Sequence, residues 1–211
     1  MIDGMFKKAA RPLAMISLCC AAVVSLQGCV EMMVGSAVIG TFAATDRRTF
    51  GAQTEDKTIV LKGENRVARA LGDAAHVNVS SFNRRALLTG EVADEQAKTT
   101  AEREVRAIEG VQAVSNELQI SGLSNYSSRS SDALITTKVK ASFVDTKDLY
   151  GSAFKVVTEA GVVYLMGRVT QREGDLAGEV ARGVSGVRQV VKVFEYIGEA
   201  ELKEMTASPN K

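Results

Sequence analysis

Val163-Tyr164-Leu165-Met166-Gly167-Arg168-Val169-Thr170-Gln171-Arg172-Glu173 decides the fold, because a strand ends and a helix begins inside it. Val163, Leu165, Gly167 and Val169 recur at a spacing of two, the period of a strand with one buried face. Thr170 followed by Glu173 is a capping-box pattern: the hydroxyl accepts from an orphan amide and the carboxylate reaches back. Leu176, Val180 and Val184 continue one apolar helix face, and Gly186 stands where a left-handed residue is wanted after a helix. Upstream, Phe154, Val156 and Thr158 alternate as a second strand, and Ile135, Val139 and Phe143 recur at helical spacing.

The same pattern occurs twice. Ala86-Leu87-Leu88-Thr89-Gly90-Glu91-Val92 aligns with Val163 to Val169 at an offset of 77 residues. Ile108-Glu109-Gly110-Val111-Gln112-Ala113-Val114 aligns with Val184-Ser185-Gly186-Val187-Arg188-Gln189-Val190 at an offset of 76. In the first copy Ala97, Ala101, Val105 and Ile108 supply the apolar helix face before Gly110. A duplicated α+β domain follows, each copy αββαβ, with two helices on one face of a three-stranded mixed sheet. Gly90 and Gly167 point inward by strand parity, and both are expected to let a helix approach closely.

Composition narrows the function. The 211 residues are 45% hydrophobic and 24% charged, as an ordinary folded chain is. Twenty-six basic and 25 acidic side chains leave a formal charge of +1, so no global field steers the chain onto nucleic acid. A single histidine, His76, excludes a multi-histidine metal cage and limits any nucleophilic triad to one ring. Phosphate loops, dinucleotide fingerprints and nucleophile elbows are absent from the sequence.

The N-terminus speaks to compartment. Lys7, Lys8 and Arg11 precede an apolar run from Leu13 to Leu26, the layout of an export signal. Leu26-Gln27-Gly28-Cys29 resembles the lipobox of bacterial lipoproteins, which implies that residues 1–28 are removed and that Cys29 is acylated. Cleavage there removes three bases and one acid, leaving 23 basic and 24 acidic groups. Three acyl chains anchor stably where one holds only marginally. Val30, rather than Asp, follows the cysteine, which implies the outer membrane; the expected orientation of the domains is toward the periplasm, with the outside as the alternative.

The order of elements, their doubling and the lipobox together resemble the BON-domain family of envelope lipoproteins. The resemblance rests on Ala44-Thr45-Asp46-Arg47-Arg48 with Gly51 and Gln53, Ile135-Thr136-Thr137-Lys138-Val139-Lys140, Val163 to Gly167 and Val184 to Val187. It implies a tether over residues 29–53, a first BON domain over 54–120, a linker over 121–130, a second BON domain over 131–197 and a tail over 198–211. It also implies a protein without catalysis or cofactor that binds anionic phospholipid, mainly through the first helix of the second domain, and supports envelope integrity. Two departures stand out. Arg84 occupies a hairpin position where the family usually has Gly, so the first turn is expected to be longer or different. Leu134 replaces the family's interfacial Trp.

On that helix the core stripe leaves Leu134, Thr137, Lys138 and Ala141 facing outward, with Lys140 beside them, and these five residues are the lipid-contact candidates. A solvated face with a stray Leu is the bland alternative. The second sheet's other face carries Tyr164, Met166, Val191 and Val193, too apolar to stay wet. It is expected to pack on the first domain. The competing reading uses that face to dock an outer-membrane assembly or division protein, with membrane contact through the anchor alone. His76 is read as a surface or strand-edge residue.

Overall fold

In the computed structural model, which describes residues 46–72, 75–121 and 126–207, the first repeat opens on Thr49. Its hydroxyl accepts the Ala52 N–H at 3.1 Å and starts helix α1, Phe50–Leu71. The helix buries Ala52, Asp56, Ile59, Gly63 and Val67, a single stripe at helical spacing. Strands β1 (His76–Phe82) and β2 (Arg85–Val92) form an antiparallel hairpin. Helix α2 (Glu95–Arg106), capped by Asp94, returns the chain so that β3 (Ala113–Asn116) and β4 (Gln119–Ile120) lie parallel to β2.

The second repeat follows the same course. Helix α3 (Tyr126–Asp145) leads through a short 3-10 turn to β5 (Phe154–Glu159) and β6 (Val162–Val169), again antiparallel. Helix α4 (Gln171–Arg182) then brings β7 (Gln189–Tyr196) parallel to β6. The capping box is present as read: Thr170 Oγ1 accepts from the Glu173 amide at 3.3 Å and Glu173 accepts from the Thr170 amide at 2.9 Å. Each repeat has its own core between helices and sheet, around Ile59, Leu88 and Val105 in the first and Val139, Phe143 and Leu165 in the second. The expected α+β mixed-sheet class holds, except that the first repeat's last strand is broken in two. Leu118 turns into the core at the break and is 2% exposed.

The two hairpin turns have the same length, contrary to the expectation drawn from Arg84. Asn83 and Arg84 take φ of 50° and 64°, and Ala160 and Gly161 take 48° and 75°. These are the mirror-image two-residue turns that match strand twist. A left-handed conformation costs a non-glycine residue roughly 1–2 kcal/mol, and a buried carboxylate offsets it. Asp56 of α1 accepts the Asn83 and Arg84 amides at 2.8 and 2.7 Å and the Ser81 hydroxyl at 2.6 Å. Asp132 of α3 accepts the Ala160 and Gly161 amides at 2.9 and 2.8 Å. In both copies the first helix therefore clamps the turn of the hairpin it covers.

The inward glycines serve a different purpose from the one expected. A Cβ on Gly90 would lie 2.0 Å from the His76 carbonyl oxygen, and one on Gly167 would lie 2.5 Å from that of Ala153. Neighbouring backbone, not a helix, makes the close approach. Glycines on the helices admit them instead: a Cβ on Gly63 of α1 would meet a Val79 methyl at 3.0 Å, and one on Gly174 of α4 would meet the Phe194 ring at 3.1 Å. Gly110 and Gly186 have φ of 89° and 99°, but each closes the loop after its helix rather than capping the last turn.

Three stretches read as connectors carry structure. Asp46 to Thr49 is tied down by side chains, α3 already begins at Tyr126, and helix α5 spans Glu199–Ala207. Cys29 lies outside the described residues. Replacing Asp132 by Ala strands two amides of the β5–β6 turn, and hydrogen bonds to charged groups contribute ~1.5–3 kcal/mol each. We expect Asp132→Ala to lower the urea-unfolding free energy by about 2 kcal/mol or more, read from the midpoint and slope of the transition.

Candidate functional site: the junction of the repeats and an outer helix face

The outer faces of the two sheets meet. Tyr164 and Met166 of β6, 3% and 1% exposed, cluster with Phe82 of β1 and Leu87 of β2. Val157, Val162, Val191 and Val193 are partly buried around them. Strand alternation explains who takes part: Asn78, Ser80 and Phe82 share one face of β1, and Leu87, Thr89 and Glu91 share the same side of β2. Phe82 was not among the residues read from the sequence, and its place two residues beyond Ser80 on the same face of β1 was the available signal.

Polar groups rim this apolar centre. Asn78 Nδ2 donates to Glu159 at 2.8 Å, Asn83 Nδ2 donates to Glu195 at 2.7 Å, and Lys155 Nζ donates to the Ser81 carbonyl at 3.3 Å. Burial lowers the Lys155 pKa, with nearby charges acting in both directions. Burial also pushes the Tyr164 phenol up to about 12, helped by Glu117 and Glu159.

Arg47 and Arg48 divide their work between the repeats. Arg47 makes a two-pronged pair with Glu173 at 2.9 and 2.7 Å and donates to the Arg168 carbonyl at 3.0 Å. Both side chains are almost fully covered, at 6% and 2% exposed. Arg48 binds Asp46 and Asp56 and lies 4.1 Å above the Phe82 ring. The segment before α1 is thereby held against the N-terminus of α4, at the capping box itself. Burial alone would raise the Glu173 carboxyl, but Arg47 and the Thr170 amide outweigh it and hold the pKa below its ordinary value.

On α3, Ile135, Val139 and Phe143 face the core and Leu134, Thr137, Lys138, Lys140 and Ala141 face out. Leu134 is 64% exposed, and Thr137 returns its hydroxyl proton to the Ala133 carbonyl at 2.9 Å. Two further apolar side chains extend this surface. Val144 is 78% exposed on the same helix, at the helical spacing set by Leu134 and Ala141, and Tyr150 is 67% exposed in the turn that follows. His76, at the start of β1, lies with its Nδ1 3.1 Å from Glu91. Among the described residues no helix is long and apolar enough to cross a membrane.

The BON domain model matches residues 56–122 and 131–198. The chain is 38% identical over 189 residues to the outer membrane lipoprotein DolP of Haemophilus influenzae, covering 88% of this chain and 97% of that protein. It is 32% identical over 158 residues to a 21 kDa hemolysin of Actinobacillus pleuropneumoniae, covering 72% of this chain and 79% of the relative. A solved C-terminal domain of CdsD, a structural protein of the type III secretion system of Chlamydia trachomatis, matches 66% of this chain at 11% identity. That match covers 98% of the solved domain, with a TM-score of 0.28. The chain belongs to the BON-domain family, as a DolP-like lipoprotein with two such domains, lipid-anchored at the outer membrane.

Removing the guanidinium of the buried Arg47 pair leaves Glu173 charged and uncompensated, which typically costs ~3–5 kcal/mol. We expect Arg47→Met to destabilise the chain by about 3 kcal/mol at pH 7. A carboxyl held below its ordinary 4.5 contributes stability that is present above that value and lost as pH falls through the folded pKa. The deficit of Arg47→Met should therefore shrink below about pH 4.5, a trend that thermal melts at stepped pH would reveal.

Proposed function

We propose that this protein is a non-catalytic outer-membrane lipoprotein whose second BON domain binds anionic phospholipid through the outer face of α3 and supports envelope integrity. The single observation that carries the reading is the solvent-facing stripe of Leu134, Lys138, Ala141 and Val144, followed by Tyr150, on a helix whose opposite side is fully engaged in the core. Leu134 and Val144 supply insertable area, and Tyr150 supplies an amphipathic aromatic suited to the headgroup region. Lys138, Lys140 and Lys147 supply positive charge near the surface, each contributing ~1 kcal/mol against an anionic leaflet. Asp145 and Asp148 oppose them, so apolar insertion and local charge act together rather than charge alone. Cys29, acylated as the mature N-terminus, brings this face to the bilayer.

The competing scaffold reading drew its support from the apolar face of the second sheet. That face is occupied by Leu87 and Phe82 of the first repeat. The same contact dictates the form of the test. An isolated second domain would expose Tyr164 and Met166 and adhere to any vesicle, so both domains must be present.

We expect a non-acylated two-domain chain to sediment with anionic vesicles and not with zwitterionic ones. Lys138→Glu should weaken that binding roughly three- to tenfold at 0.01 M salt, where the Debye length is ~30 Å, with no change in melting temperature. Leu134→Trp should strengthen it. Equal binding to both vesicle types, or a Lys138 reversal without effect at low salt, overturns the assignment.

A further inference from the structure

His76, Glu91 and Glu159 come together at one edge of the junction, each offering a ligand atom, with all three atoms within 4.8 Å of one another. Two belong to the first repeat, at the start of β1 and near the end of β2, and the third closes β5 of the second. None is adjacent in sequence: the β1–β2 hairpin pairs His76 with Glu91, and the packing of the repeats adds Glu159. We propose that they form a binding site for a first-row divalent metal, zinc above all, that clasps the two BON domains together.

The donor chemistry selects the ion. One imidazole nitrogen with two carboxylate oxygens is a set that zinc accepts, with water in the fourth position, whereas calcium and magnesium prefer oxygen alone. Ligands at ~2.0–2.1 Å from a tetrahedral zinc stand about 3.3 Å apart. His76 Nδ1 and Glu91 Oε2 are already at 3.1 Å, so Glu159 alone needs to close by a rotamer adjustment.

The surroundings suit a cation. Glu91 is 4% exposed, and its carboxylate has His76 as its neighbour. Asn78 donates to Glu159 Oε2 at 2.8 Å, orienting that carboxylate from outside the cluster as metal-ligating carboxylates usually are. A second observation lies beside the cluster. Thr89, 1% exposed on the same face of β2 as Glu91 and paired with Asn78 across the hairpin, has a hydroxyl with no hydrogen-bond partner among the described residues. A hydrated ion at this edge would bring a hydrogen-bond partner within reach of that hydroxyl.

The test uses the full acylated chain in detergent, purified without a histidine tag and stripped of metal. Titration calorimetry should find one zinc per chain with a micromolar or tighter dissociation constant, and zinc should raise the melting temperature by several degrees. Magnesium at the same concentration should do neither. His76→Gln and Glu159→Gln should each weaken zinc binding at least tenfold while leaving the metal-free melting temperature nearly unchanged. Should either variant fold poorly, copper(II) paramagnetic resonance on the unaltered chain decides the matter, because the sequence holds one histidine. Hyperfine structure from a single imidazole nitrogen is expected. Zinc binding no tighter than millimolar, zinc affinity unmoved in both well-folded variants, or a copper spectrum without that nitrogen overturns the proposal.

Discussion

Each repeat covers one face of its sheet with two helices and leaves the other face bare. In the second repeat that bare face holds Tyr164, Met166, Val191 and Val193, and a domain of this size buries too little surface to leave them in water. Burying them against Leu87 and Phe82 sets the relation between the two repeats. Much else follows from that contact. Asn78 meets Glu159, Asn83 meets Glu195, and Lys155 reaches the Ser81 carbonyl, because the sheets are held face to face. The helices are left outside, so α3 keeps one side in the core and the other in solvent. Sheet-to-sheet packing and a solvent-facing α3 are two consequences of one constraint.

Duplication followed by divergence accounts for the asymmetry between the copies. Both retain the helix carboxylate that clamps the hairpin turn, Asp56 and Asp132, since a left-handed turn needs its amides satisfied wherever it occurs. What changed is the outer sheet face. The first copy keeps polar groups at its edges, with Leu87 and Phe82 as the apolar centre, and the second is apolar throughout the middle. Arg47 adds a further tie from the segment before α1 to the start of α4. It reaches Glu173, the same carboxylate that closes the capping box, so one side chain serves both a helix start and the attachment of the N-terminal segment.

Periodicity made the repeats legible, because strands at a spacing of two and helix stripes at three and four are local properties. The capping box was legible for the same reason. Asp56 and Asp132 were not, although both fall on the core stripe of their helices at equivalent places in the two copies. A polar residue on an apolar stripe reads as noise until its acceptors are known to face a turn. The inward glycines were placed correctly but given the wrong neighbour, since parity tells which side a residue faces and not which backbone lies there. His76 looked isolated because its companions, Glu91 and Glu159, are 15 and 83 residues away along the chain. Val144 and Tyr150 could have been added to the outer face by continuing the helical spacing and the chain beyond it.

The central claim is that the second domain meets the bilayer with the outer side of α3 while the sheets stay closed on one another. Amide signal loss from spin-labelled lipids in anionic bilayer discs, measured on the two-domain chain, tests it most directly. The account predicts attenuation at Leu134, Lys138, Ala141, Val144 and Tyr150, with Leu87, Tyr164 and Met166 unaffected. Attenuation centred on the sheet residues, or on Phe50 and Leu61 of α1 in place of α3, would contradict it.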